Sequence, residues 1–135
     1  MATFRLQVVS MDGLEYDGEV QQIKLRTIHG DLAILARHMN YVTAIGMGTA
    51  KVVLADGTER QAACIGGMLS MMDNHCRVIP TTWEWDEDID VARAMDAKKR
   101  AEEKLAQSNL DKISRVKAEA RLYRALVRIN SAKHK

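Results

Sequence analysis

The 135-residue sequence has a single proline, Pro80, a single phenylalanine, two cysteines, Cys64 and Cys76, and only 4% aromatic residues. Two thiols are too few for a disulfide framework, and with no sign of secretion they are expected to be free and buried. No apolar run approaches the roughly 18 residues that a membrane-spanning helix requires. The N-terminal MATFRLQVVSMDG lacks the basic segment and apolar stretch of a secretory signal. The net charge of +2 is nearly neutral, so bulk charge gives no reason to expect a nucleic-acid partner. CxxC, HExxH and N-x-S/T motifs are absent. No G-x-x-x-x-G-K-[ST] occurs either; its nearest fragment, GMGTAK (46–51), has the wrong spacing and leads into a strand. The histidines at 29, 38, 75 and 134 have no ligand spacing, so no metal is expected. No Ser/His/Asp or Cys/His set can be paired, and the expectation is a non-enzyme.

The 47% hydrophobic and 28% charged content is that of one ordinary soluble domain, or of a small one with an appendage. Two halves follow different rules. In FRLQVV (4–9), Phe4, Leu6 and Val8 alternate with Arg5 and Gln7, as in a half-buried strand. VQQIKLRTI (20–28), TAKVVLA (49–55), RQAACI (60–65), MLSMM (68–72) and CRVIP (76–80) read as further strands. Asp12-Gly13, Asp17-Gly18 and Asp56-Gly57 read as hairpin turns. Short strands at this spacing predict a β-sandwich or barrel. All the methionines except Met95 fall in this half and are expected to fill its core.

From Asp86 the pattern becomes helical. DEDID places acids where a helix N-terminus favours them, and the helix is expected to run through Leu105. SNLD (108–111) is a short break with capping residues. A second helix is expected from about Lys112 to about Ile129, followed by a fraying basic tail, SAKHK. The fold class is therefore α+β, with an antiparallel β-sandwich (1–85) followed by an antiparallel two-helix hairpin (86–135). Ala94, Ala97, Ala101 and Leu105 share one face of the first helix. Ala118, Leu122, Ala125 and Ile129 share one face of the second. This seam is thin, because a buried alanine contributes far less than the roughly 1.5–3 kcal/mol of a large aliphatic chain. Val116, Ala120, Tyr123 and Val127 form a second apolar stripe, so helix two has two faces to pack.

Arg93, Arg100 and Lys104 line one flank of helix one, and Lys117, Arg121, Arg124 and Arg128 line one flank of helix two. They are either solvated, with i,i+4 partners such as Asp96–Arg100, or meet across the seam as an anion site. The basic second helix has no interleaved aromatic platform, which argues against nucleic acid.

HGDLAILARHMNYVTAIGMG (29–48), the pair Gly66-Gly67 and IDVARAMDAKKRAEEKL (89–105) together resemble the epsilon subunit of the bacterial F-type ATP synthase, over nearly the whole chain. The resemblance implies a central-stalk subunit at the cytoplasmic face of the bacterial cell membrane, peripheral to it through the complex. Its implied partners are the gamma subunit, the ring of membrane c subunits, and the alpha and beta catalytic subunits. Its hairpin would fold down on the sandwich or extend to inhibit ATP hydrolysis, with no required cofactor but with regulatory ATP. The family's I/L-D-x-x-R-A motif stands here as Ile89, Asp90, Val91, Ala92, Arg93, Ala94. With Glu84, Arg100, Arg124 and Arg128 it implies a nucleotide site. For Asp90 the alternative reading is a helix cap. Asp31 and His38 are implied to face the rotor ring. Two departures stand out. Met39-Asn40-Tyr41 lacks the family's proline, and Thr81-Thr82-Trp83-Glu84-Trp85 replaces a small polar link, where the tryptophans either anchor the hinge or stack on a base. The competing function is a free-standing nucleotide sensor with no rotary partner.

Overall fold

A computed structural model describes residues 2–132. Seven strands, β1 (Phe4–Ser10), β2 (Gly13–Thr27), β3 (Gly30–Leu35), β4 (Tyr41–Ala44), β5 (Met47–Leu54), β6 (Glu59–Met72) and β7 (His75–Trp85), precede two helices, α1 (Val91–Leu105) and α2 (Lys112–Ser131). The strands pair in the order β1-β7-β6-β5-β2-β3, with β4 on β6 and β1 on β2, so the sheet closes on itself. The long strands β2 and β6 change partners along their length. β6 pairs with β5 through Ile65 and with β4 from Met68 onward.

The alternation of β1 sends Phe4, Leu6 and Val8 into the core, all fully buried. They pack with Val20, Ile23, Ile34, Val52, Leu69, Met71 and Val78 in a core drawn wholly from residues before Asp86. Burial of this apolar set is the main force holding the sandwich together. Cys64 and Cys76 are free and buried within it, and desolvation pushes both thiols up to about 12.

Several local expectations are corrected. One pair, β1 with β7, is parallel, because the first strand enters the sheet beside the last. Asp17-Gly18 is not a turn. It lies inside β2 opposite Gln7 and Leu6, and the Asp17 carboxylate accepts two hydrogen bonds from the Arg5 guanidinium at 2.9 and 3.0 Å. RQAACI and MLSMM are one 14-residue strand, not two. Gly66 and Gly67 lie inside it with positive φ. A Cβ on Gly67 would sit 2.1 Å from the Ile79 carbonyl oxygen, so only glycine lets β6 and β7 approach there. The methionines are mostly not core. Met71 is fully buried, but of the others in this half Met11, Met39, Met68 and Met72 are exposed.

DEDID opens the helix only through its last residue, Asp90. Asp86–Asp88 form a 3₁₀ turn, Ile89 is extended and buried, and α1 starts at Val91. The Asp90 carboxylate accepts the Arg93 N–H at 3.0 Å, the N-cap interaction of α1. Asp111 caps α2 in the same way through the Ser114 N–H. The tail does not begin at Ser131: Ser131 and Ala132 are buried. The last three residues of SAKHK lie outside the described residues.

The β6–β7 turn organises one end of the sandwich. Asp73 and Asn74 both have positive φ, as a tight hairpin turn requires. The Asn74 side chain accepts the Arg37 N–H at 2.8 Å and donates to the Thr3 carbonyl at 3.1 Å. The Asn40 side chain accepts the Asp73 N–H at 3.0 Å. The loop of residues 36–40 is thus bound to a turn more than thirty residues away.

Candidate functional site: an arginine-lined cleft under the hairpin

The hairpin lies folded against the sandwich. Its seam is the predicted one: Ala94 and Ala101 of α1 and Ala118 and Ala125 of α2 are buried. Ala97, Leu105, Leu122 and Ile129 are half-buried. Of the second stripe, Val127 packs against a small apolar cluster of Ala63, Ile89 and Ala132, while Val116 and Tyr123 stay exposed. Small polar groups complete the docking of α2. The Thr49 and Ser131 hydroxyls are 2.8 Å apart, and Asn130 Nδ2 donates to Thr49 Oγ1 at 3.2 Å. Buried Gln61 donates through Nε2 to the Ser131 carbonyl at 2.8 Å. That carbonyl, at the helix C-terminus, has no acceptor role inside the helix and must be satisfied from outside.

The link into the hairpin is packed against the sandwich. Trp83 and Trp85 are buried, with ring centroids 5.2 Å apart and planes at 84°. Trp85 Nε1 donates to the Glu15 carbonyl at 3.3 Å. The Arg60 guanidinium lies 3.6 Å from the Trp85 ring centroid and pairs with Glu87 at 2.7 Å. Both tryptophan rings belong to the sandwich core, and Trp83 also borders the cleft beneath the helices.

Between the helices and the end of β7 is a cleft of about 760 Å³, within the range of roughly 300–1,000 Å³ of small-molecule sites. Among the described residues, six cations line it: Arg93, Arg100 and Lys104 from α1, and Arg121, Arg124 and Arg128 from α2. Asp12, Glu84 and Asp90 line it as well. The two basic flanks meet. Arg128 Nε donates to Glu84 Oε1 at 2.6 Å, and Arg100 pairs with Asp96 along its own helix at 2.6 Å. Among the described residues, Arg93, Lys104, Arg121 and Arg124 have no carboxylate within ion-pair distance. Guanidinium groups around a concave space have the planar, multi-donor geometry that suits carboxylate or phosphate.

The structure brings Glu84, Asp90, Arg93, Arg100, Arg124 and Arg128 to this cleft, and it places Ile89 in the neighbouring apolar cluster. Lys104 and Arg121 join the cleft although the motif does not single them out; their flank position was the signal. Asp31 and His38 lie apart from it. Asp31, the second residue of β3, is exposed, with Arg26 at 3.6 Å. His38 sits in the loop after β3, its ring Nδ1 2.8 Å from the Met39 carbonyl oxygen and its ring edge against Tyr41.

Fold and cleft define a β-sandwich with a two-helix hairpin folded against it and a cation-lined cleft between the two. The beta-sandwich-domain model of the ATP synthase delta/epsilon chain matches residues 3–86, and the long alpha-helix-domain model of the same chain matches residues 87–133. The ATP synthase epsilon chain of Shouchella clausii is 36% identical over 135 residues, covering 100% of this chain and 98% of the relative. That of Caldicellulosiruptor bescii is 39% identical over 133 residues, covering 98% and 95%. The sodium-ion-specific epsilon chain of Acetobacterium woodii is 33% identical over 109 residues, covering 81% and 82%. The fold is also that of a chain in the Euglena gracilis mitochondrial ATP synthase, with a TM-score of 0.85 at 22% identity, covering 98% of this chain and 82% of that one. The protein belongs to the ATP synthase delta/epsilon chain family.

Proposed function

We propose that this chain is a non-catalytic rotor subunit in the central stalk of an F-type ATP synthase, peripheral to the cytoplasmic face of the bacterial cell membrane. The sandwich docks on the gamma subunit and on the ring of c subunits, and couples ion translocation to ATP synthesis. The outer sheet face supports this docking role: Val42, Met68, Met72 and Ile79 are each about half exposed and lie on the hydrogen-bonded strands β4, β6 and β7. Asp31 and His38 are the ring contacts in this reading.

The hairpin is the regulatory element. Extended, it inhibits ATP hydrolysis at the alpha and beta subunits; folded down, it does not. The observation that carries this is the thin alanine seam over a cleft of uncompensated cations. Like-charge repulsion among Arg93, Arg121 and Arg124 opposes closure, and a bound ATP reverses the sign of that effect. A ligand held only by the closed form stabilises it by about 2.7 kcal/mol at a hundredfold excess over Kd. Such a bias shifts a nearly balanced pair of states decisively. Arg93, Arg100, Arg124 and Arg128 face the phosphates, while Glu84, Ile89 and Asp90 shape the sandwich end of the site.

The test is thermal melting of the full chain with and without millimolar ATP, for the native protein and for Arg93→Ala and Arg124→Ala. The native chain melts higher with ATP, and both variants lose most of that rise. No rise in the native chain removes the nucleotide reading, and an equal rise in all three removes the residue assignment. Reconstitution with a chain ending at residue 85 tests the regulatory role. Assembly with gamma persists and hydrolysis at low ATP increases, whereas equal rates would show that the hairpin does not inhibit.

A further inference from the structure

The outer face of β7 carries a cation, Arg77, amid the half-exposed apolar side chains of the docking face. Arg77 is exposed. Across the sheet it lies opposite Ser70 of β6 and Gln7 of β1, and Ser70 in turn lies opposite Val42 of β4. Along β7 its neighbours on the same face are His75 and Ile79, which stand opposite Met72 and Met68. Met68 and Met72 are thus its diagonal neighbours, within reach of a long side chain. Among the described residues, no carboxylate is within ion-pair distance of Arg77. Its Nη2 donates to Gln7 Oε1 at 3.4 Å, and that oxygen also lies 2.8 Å from His75 Nε2. The carboxylate nearby on β2, Asp17, is taken up by Arg5 at 2.9 and 3.0 Å.

Docking on this face buries Arg77 together with Val42, Met68, Met72 and Ile79. A guanidinium that loses its water without a charged partner is strongly unfavourable. Gln7 supplies one long hydrogen bond where the group has five donors. A carboxylate engages two of those donors at once and cancels the charge. We propose that Arg77 sets partner specificity on the docking face, and that the surface of the gamma subunit it meets presents one carboxylate ringed by apolar side chains. This inference rests on the docking reading above.

The experiment is calorimetric titration of the full chain into the soluble catalytic part of the synthase, gamma included, purified and stripped of this chain. It compares the native protein with Arg77→Met, Arg77→Lys and Ile79→Ser. Methionine keeps an apolar stem and removes the charge. With a carboxylate facing Arg77, the Met variant leaves that carboxylate buried and unpaired, and its Kd should rise about thirtyfold or more. Arg77→Lys keeps the charge without the fork and should recover part of that loss. Against a partner surface that is only apolar, Arg77→Met removes a desolvation cost and binds as tightly as the native chain or more tightly. That result, with binding weakened by Ile79→Ser, overturns the proposal and leaves the docking face in place. Native-like binding by both Ile79→Ser and Arg77→Met removes the docking reading itself. Because Arg77 is exposed, the free Met variant should melt as the native chain does, which separates lost affinity from lost fold.

Discussion

Arg128 of α2 and Glu84 of β7 are joined at 2.6 Å across the boundary between hairpin and sandwich, each about one-third exposed. Such a partly exposed pair contributes at most about 1 kcal/mol. It also spares the closed cleft one uncompensated cation. Glu84→Gln should therefore lower the melting temperature slightly without ATP and enlarge the rise that ATP produces. An unchanged or smaller ATP-dependent rise would show that Glu84 touches the ligand directly.

Gln61 is the buried partner of the Ser131 carbonyl. Removing it leaves that acceptor unsatisfied in the closed form but hydrated in an open one, a cost of about 1–3 kcal/mol to closure. Gln61→Ala should speed amide hydrogen exchange throughout α2 while β5, β6 and β7 keep their protection. Unaltered exchange in α2 would mean that the hairpin is held mainly elsewhere.

Gly67→Ala should destabilise the sandwich by about 3 kcal/mol or more, because the added carbon meets backbone and not a movable side chain. Denaturant melts of this variant and of Gly57→Ala separate the two requirements. Gly57 also has positive φ but has no atom within 4 Å of a new Cβ, so its variant bears only the smaller conformational cost.

The thiols give a pH dependence of known sign. Cys64 and Cys76 rise from 9.0 to about 12 on burial. Between those values the unfolded chain loses protons that the folded chain keeps, so stability is unaffected below pH 9 and falls as pH climbs toward 12. The slope approaches about 1.4 kcal/mol per pH unit for each thiol. Melts from pH 8 to 11 should show a steeper loss for the native chain than for a Cys64→Ala/Cys76→Ala variant. Parallel slopes would refute this.

Strand alternation in β1, the alanine seam and the break between the helices could all be read from the sequence because each is a local period or a local cap. The Asp17-Gly18 error has a tertiary cause: Arg5 on the neighbouring strand fixes Asp17 in extended backbone. The two halves of β6 looked separate because Gly66 and Gly67 resemble a turn, and only the close approach of Ile79 and Pro80 shows their real use. Within the candidate site, the basic flanks were visible as helical spacing. The pairing of Arg128 with Glu84 and the contacts among Thr49, Gln61 and Ser131 were not, since they join distant segments through small polar groups that leave no period. The exposed methionines show the same limit: residue type does not say which face of a strand is covered.

The turn at Asp73 and Asn74 connects the two ends of the molecule. Through Asn40 and Asn74 it grips the loop of residues 36–40, and from it β6 and β7 run side by side to the other end of the molecule. There β6 carries Gln61 and β7 carries Glu84, two of the groups that hold α2. The 11 residues of β7 span about 35 Å. The loop and the place where the hairpin is fastened are thus the two ends of one pair of hydrogen-bonded strands, whose pairing skips only Gly66 and Thr81.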